Sequence, residues 1–334
     1  MAGAGRRSRR RGAVLAALLA AVVLAGCSSG EDASSSEAGT RTITTDKGEL
    51  EVPAAPQRIV VLSGGLAGYL YALDAPVVAA DTRVLGVTNA GGGFPPSWAA
   101  AAQRQGTTEL PKGEQLSVEA VAAAKPDLII GGGQGITAVQ AAQAYDRLAA
   151  IAPTVLVPRT VTAWQDQLRA VADAAGRTDR VEPLLGNYRT KLDQVKAAIA
   201  PPAGESTFVL SYPGDKIYVV PPTAALPVLA KDVGIVPDPD VLTKARNPRL
   251  ASTGDSFELS AELLPQVVDA PNVFVVNVNG KPAAELAKDP VWAQLPAFRA
   301  GSVHELPATS YRPDYDAALS TLDILGQEFP KTTG

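Results

Sequence analysis

From Arg58 onward, short unbroken apolar runs alternate with stretches in which apolar residues recur every three or four positions. Arg58-Ile59-Val60-Val61-Leu62 ends at Ser63-Gly64-Gly65, and Asp127-Leu128-Ile129-Ile130 ends at Gly131-Gly132-Gly133. Runs of this kind, bounded by glycine, predict strands buried on both faces of a parallel sheet. Between them, Leu66–Leu73 predicts a helix and Pro76–Ala80 a strand. Leu116-Ser117-Val118-Glu119 opens a helix that must stop before Lys125-Pro126, because the residue preceding proline is pushed out of the α region. Ala138–Ala150 predicts a helix and Thr154–Val157 a strand. From Ala163 to Ala200 strand runs disappear, and Glu182–Ala200 predicts one helix of about 19 residues, or about 28 Å, ended by Pro201-Pro202. A second series follows, with strands at Phe208–Leu210, Ile217–Val220, Val273–Val276 and Val303–Leu306. Its helices fall at Ala225–Val233, from Ser260, and from Asp314 to Glu328. Repeated strand–loop–helix units argue for α/β lobes with mainly parallel sheets, here two of them (42–162 and 201–334) joined by a connecting helical segment (163–200).

The first 41 residues follow another pattern. Five arginines (Arg6, Arg7, Arg9, Arg10, Arg11) precede an Ala/Val/Leu run from Ala13 to Ala25 that ends in Leu24-Ala25-Gly26-Cys27. A basic start, an apolar middle and small residues at the cut predict a secretory signal over residues 1–26. The apolar run, about 13 residues, is too short to span a hydrocarbon core of about 30 Å. The tetrapeptide resembles a bacterial lipobox, in which the cysteine thiol is acylated and becomes residue one of the mature chain. Cys27 is the only cysteine, so its acylation leaves no disulfide. Residues 27–41, rich in Ser, Glu, Gly and Ala, predict a flexible tether. The Arg6-Arg7 pair leaves open whether export is general or twin-arginine.

Charge sharpens this reading. Without the five N-terminal arginines the chain holds 25 basic and 34 acidic residues, a net of −9. An acidic exported domain lacks the basic footprint of a nucleic-acid binder. The single histidine, His304, argues against a zinc or manganese site and against Ser-His-Asp chemistry. Its alternating surroundings predict a solvent-facing strand position. No paired acidic motif suggests glycoside hydrolysis, since Asp238-Pro239-Asp240 reads as a loop. Gly131-Gly132-Gly133-Gln134-Gly135 lacks the GK[ST] ending of a phosphate loop and the GxGxxG spacing; it reads as a strand-to-helix turn.

Several segments, in order and spacing, resemble one family. They are Pro56-Gln57-Arg58-Ile59-Val60-Val61-Leu62, Leu116-Ser117-Val118-Glu119 running into Lys125-Pro126-Asp127-Leu128-Ile129-Ile130, Ile151-Ala152-Pro153-Thr154-Val155 before Trp164, and Pro290-Val291-Trp292-Ala293-Gln294-Leu295-Pro296-Ala297 before Gly301-Ser302-Val303. Behind a lipobox, they resemble the substrate-binding lipoproteins of ABC importers for ferric siderophores, haem and cobalamin, from about Thr42 to Glu328. The resemblance implies two Rossmann-like lobes hinged stiffly by a helix, a ligand held between them, a lipid-anchored monomer on the outer face of the cell membrane, no enzymatic activity, no cofactor and no resident metal. A ferric siderophore is the expected ligand. Haem, cobalamin or another iron complex, and a partner-binding surface lipoprotein without small ligand, are the alternatives.

In that family a glutamate from each lobe meets arginines of the permease, and the matching positions are Glu119 and Glu262, in the echoed Leu116-Ser117-Val118-Glu119 and Leu259-Ser260-Ala261-Glu262. Locally, Ser117 and Ser260 read as N-caps that place each glutamate in a first helical turn; both roles are compatible. An iron complex whose metal is already saturated calls for aromatic walls and Arg, Lys or Tyr donors rather than metal ligands. Tyr311 and Arg312, after the strand carrying His304, are the leading candidates, followed by Trp98 and Arg249. Phe94, Gln134 and Tyr212 are weaker, with packing or turn roles favoured. The acidic net charge argues against a strongly anionic ligand, although a local patch from Arg249 and Arg312 could override it.

Overall fold

A computed structural model describes residues 39–89 and 93–331; the expected signal segment, Cys27 and most of the expected tether lie outside the described residues. The described chain opens on an antiparallel hairpin, β1 (Thr40–Thr45) and β2 (Gly48–Pro53). Its Ile43 and Val52 reach the core, and Arg41 donates to the Ala174 carbonyl at 2.8 Å.

The first sheet is wholly parallel. Its strands are β3 (Ile59–Val61), β4 (Val77–Ala80), β5 (Thr108–Glu109), β6 (Leu128–Gly132) and β7 (Thr154–Val157), in the order β5-β4-β3-β6-β7. The chain moves outward from β3 to β5, then crosses back to β6 and β7. That reversal puts a switch point between β3 and β6, where open α/β sheets hold ligands beyond their carboxyl ends. The crossovers carry α1 (Gly64–Ala72), α2 (Ala99–Gln105), α3 (Val118–Ala123), and the pair α4 (Ile136–Gln143) and α5 (Tyr145–Ala149). The helix expected over Ala138–Ala150 is thus two, parted at Ala144. Ser117 caps α3 by accepting from the Ala120 N–H at 3.2 Å, and Lys125, at φ 48°, turns the chain before Pro126.

Two helices follow, α6 (Trp164–Ala175) and α7 (Val181–Ala198). The second, 18 residues and about 27 Å long, is the expected connecting helix. Trp164 is edge-on to Tyr188 of α7, ring centres 4.7 Å apart, and 6.2 Å from Tyr315 at the start of the C-terminal helix, Tyr315–Glu328. One apolar core runs from Ile59 and Leu66 through Trp164 and Leu185 to Phe208, Phe274 and Leu322. The connector is therefore packed into the same continuous core as both sheets.

The second sheet is mixed. Its strands β8 (Glu205–Tyr212), β9 (Lys216–Val220), β10 (Val236–Pro237), β11 (Phe257–Leu259), β12 (Asn272–Asn277) and β13 (Val303–Pro307) run in the order β11-β9-β8-β12-β13, with β10 beside the start of β8. β8, β12 and β13 pair in parallel, as does β10 with β8, while β9 is antiparallel to both β8 and β11. The reversal is local: Gly214 at φ 77° and Asp215 at φ 56° turn the chain between β8 and β9.

Two local expectations are corrected. The helix expected from Ser260 starts at Leu264 and spans only Leu264–Val267. Leu259 belongs to β11, the Leu263 N–H donates to the Ser260 carbonyl in a turn, and Pro265 near the helix start accounts for the late onset. His304 is not solvent-facing, its side chain being only 13% exposed. The end of the C-terminal helix folds over β13, stacking Phe329 edge-on against the imidazole at 4.7 Å and bringing a Glu328 carboxylate oxygen 2.8 Å from Nδ1.

The lobes also meet at α1. The Tyr69 hydroxyl donates to the Pro313 carbonyl at 2.9 Å, and Asp314 caps the C-terminal helix by accepting from the Ala317 N–H at 2.8 Å. Burial raises the Asp314 carboxyl to about 6, against the opposing pull of its bond from Ala317.

Candidate binding site

A cavity of about 310 Å³ lies at the switch point of the first sheet, and residues from the second lobe complete its lining. Three loops at the carboxyl ends of β3, β4 and β6 supply Ser63 and Gly65, Arg83 to Gly86, and Gln134 to Thr137. The segment after β13 supplies Ala308, Tyr311 and Arg312. Glycine lets these loops approach closely: a β-carbon on Gly64 would stand 2.6 Å from the Arg83 carbonyl oxygen. In the turn after β6, Gly133 at φ 70° and Gly135 at φ 94° adopt backbone that other residues resist.

Among the described residues, the two arginines are the only charged side chains lining this cavity. Arg83 Nε donates to both carboxylate oxygens of Asp81, at 3.0 and 3.1 Å. Its Nη2 donates to Gln140 Oε1 at 2.7 Å and its Nη1 to the Gly113 carbonyl at 3.0 Å. Asp81 itself is 2% exposed. Across the cleft, Arg312 grips Asp255 with two bonds, Nε to Oδ2 at 2.6 Å and Nη2 to Oδ1 at 3.1 Å. Burial alone would raise the Asp255 carboxyl, but the hydrogen bonds and charge of Arg312 outweigh it and hold the group below the usual carboxylate range. Burial pushes the Tyr311 phenol well up, so it stays protonated, with the Arg312 guanidinium 4.8 Å from its ring centre.

Among the described residues, side-chain hydrogen bonds also span the lobes: Gln134, on the cavity lining, donates from Nε2 to Asp255 Oδ2 at 3.0 Å, and Arg159 Nη2, outside the lining, donates to Ser252 Oγ at 2.6 Å. The remaining wall mixes aliphatic Leu66, Val84, Leu85 and Ile136 with polar Ser63, Thr137 and Gln167. Ile136 is 60% and Leu85 38% exposed, unusual for large apolar side chains, and both border the cavity.

Of the residues chosen from sequence, Tyr311, Arg312 and Gln134 line the cavity. Trp98 does not: it is 1% exposed, stacked on Tyr71 at 5.2 Å and beside Phe94 at 5.6 Å. Both Trp98 and Phe94 belong to the core of the first lobe. Tyr212 borders a separate recess of about 140 Å³ with Lys216, Lys281 and Trp292. Arg249 is exposed in the loop after Arg246 and is not part of the cavity lining. Glu119 is exposed in the first turn of α3, and Glu262 in the turn before Leu264–Val267. Sequence reading missed Arg83, although Asp81-Thr82-Arg83 directly follows an expected strand and occupies the same kind of loop as the chosen candidates. It also missed Leu85 and Ile136, where apolar residues placed after strands were the available signal.

Among the described residues, no group of three His, Cys, Asp or Glu side chains is placed to hold a metal ion. Also among the described residues, no helix is long and apolar enough to cross a membrane.

Comparison with known proteins adds the following. The profile of a family described as periplasmic binding protein matches residues 59–309. The ferric enterobactin-binding periplasmic protein FepB of Escherichia coli O6:H1 is 28% identical over 289 residues, covering 85% of this chain and 89% of that protein. The iron(3+)-hydroxamate-binding protein FhuD of Bacillus subtilis is 26% identical over 339 residues, covering 97% and 98%. Among solved structures, holo-ViuP superposes with a TM-score of 0.74 at 26% identity, covering 87% of this chain and 95% of the other.

Proposed function

The chain belongs to the periplasmic binding protein family, whose members bind solutes and are not enzymes, and from that premise we propose that it captures a ferric siderophore between its lobes and delivers it to an ABC permease. The observation that carries this reading is the cavity at the switch point, walled largely by apolar side chains with a few polar ones among them, furnished with two arginines and a tyrosine, and completed from the second lobe by Tyr311 and Arg312. Concave, largely apolar sites with a few convergent polar groups are what small-molecule binding requires. Relatives named for ferric enterobactin and for iron(3+)-hydroxamates over nearly the whole chain point to an iron complex. Haem finds less support, because His304 lies under Phe329 with Nδ1 engaged by Glu328.

The relatives' periplasmic setting puts the site outside the cytoplasmic membrane. Acylation at Cys27 would tether it there as a monomer. Docking on the permease falls to Glu119 and Glu262, exposed carboxylates on different lobes, which arginines of a two-subunit partner can grip by charge-assisted hydrogen bonds.

The double variant Glu119→Ala/Glu262→Ala separates delivery from capture. In cells depending on this chain, uptake of radio-iron as the siderophore complex is expected to fall at least about tenfold, while the purified variant keeps its Kd within about twofold. Normal uptake would remove both glutamates from the docking role. Loss of binding in the purified variant would place them in ligand capture instead.

A further inference from the structure

The siderophore reading leaves the chemical class of the iron complex open, and the cavity's charge arrangement bears on it. Resting on that reading, we propose that the cleft selects ferric complexes of low net charge, such as trihydroxamates, over polyanionic ones, and that Asp81 and Asp255 set this preference. Three hydroxamate monoanions cancel the charge of ferric iron. Three catecholate dianions leave the complex a trianion.

A site for a trianion needs positive charge that the protein has not already cancelled. Among the described residues, the only two cationic side chains lining the cavity are each paired with an aspartate whose side chain is 2% or 5% exposed. A carboxylate about 3 Å from a guanidinium cancels most of its field a few ångströms beyond. The pairs are also anchored from behind. Asp255 accepts from Arg312 and Gln134, and Arg83 is held by Asp81, Gln140 and Gly113, so neither guanidinium swings free of its partner without breaking several bonds. The sequence left open a cationic patch from Arg249 and Arg312, but Arg249 is outside the cavity lining and Arg312 reaches it already paired.

The cavity still offers hydrogen-bond donors. Arg312 commits Nε and Nη2 to its contacts among the described residues, leaving Nη1 to donate to a neutral oxygen such as a hydroxamate or amide carbonyl. Exposed Leu85 and Ile136 suit the methylene linkers of an uncharged complex better than the hydration shell of a trianion. The −9 balance of the chain beyond Cys27 adds a long-range field that disfavours approach of anions.

The test is a pair of titrations of the purified chain at one ionic strength, with a neutral ferric trihydroxamate and with a ferric triscatecholate. The expected result is a Kd at least about tenfold lower for the trihydroxamate. Asp255→Asn and, independently, Asp81→Asn each expose a guanidinium charge, and each is expected to narrow that ratio by about tenfold by tightening the triscatecholate. Thermal unfolding of each variant identifies any that fails to fold; the wild-type ratio then decides. Equal or tighter binding of the triscatecholate by the wild type overturns the inference and leaves the siderophore reading standing. Binding of neither complex overturns the siderophore reading and this inference with it.

Discussion

Replacing Arg312 with alanine is expected to weaken binding of the ferric siderophore at least about tenfold and to lower folding stability by about 3 kcal/mol. The second effect follows from what remains behind. Asp255, its side chain 5% exposed, loses both Arg312 bonds and stands as a buried carboxylate with Gln134 and Thr253 as its side-chain partners. Removing one member of a buried pair costs far more than the pair contributes, because the other charge is stranded. The double variant Arg312→Ala/Asp255→Ala should therefore recover most of the lost stability, while affinity stays low because the donor at the cavity wall is gone. Denaturant unfolding beside ligand titration reads the two effects separately. A double variant as unstable as the single one would show that the pair does not act as a unit.

Gly68→Ala should be the most damaging small substitution at the meeting of the lobes. In an ordinary helix this change helps by up to about 1 kcal/mol, so the expected sign is reversed. Gly68 lies in α1, and a β-carbon there would fall inside the Asp314 carboxylate. Neither side yields easily. Asp314 caps the C-terminal helix through the Ala317 N–H, and neighbouring Tyr69 is bonded to Pro313. Alanine must either push α1 from the C-terminal helix or break the cap, a loss of about 2–4 kcal/mol from overpacking and capping together. Adding Asp314→Ser, which shortens the side chain and keeps a capping oxygen, should return much of it. A Gly68→Ala protein as stable as wild type would mean that the contact is looser than described.

Where elements were legible in the sequence, physics made them so. Strands β6 and β7 and helix α1 stand close to where the apolar rhythm put them, since a strand buried on both faces must be apolar throughout and glycine ends it. The connecting helix was legible from its length and from the Pro201-Pro202 stop. The reversal between β8 and β9 had a signal, Pro213-Gly214-Asp215, which a hairpin reading would have used. Ser260 misled because it shares residue type with Ser117 while its chain is still leaving a strand.

The site was half legible. Tyr311, Arg312 and Gln134 follow strands and line the cavity. Trp98 and Phe94 come from a loop rich in glycine and proline, where periodicity carries no information about which way a side chain points; Trp98 stacks on Tyr71 in the core and Phe94 packs against Trp98. Asp81 stands two residues before Arg83 and was within reach of sequence reading, whereas the partner of Arg312 was not. Asp255 and Arg312 are 57 residues apart, and only the fold brings them together.

The most direct test of the account is a fluorescence titration of the purified chain against ferric hydroxamates, ferric catecholates, ferric citrate, haem and cobalamin, with the iron-free siderophores as controls. The account predicts saturable quenching with sub-micromolar Kd by a ferric siderophore, much weaker binding of its iron-free form, and loss of the signal in Arg312→Ala. Silence across the panel, or equal binding by wild type and Arg312→Ala, would contradict it.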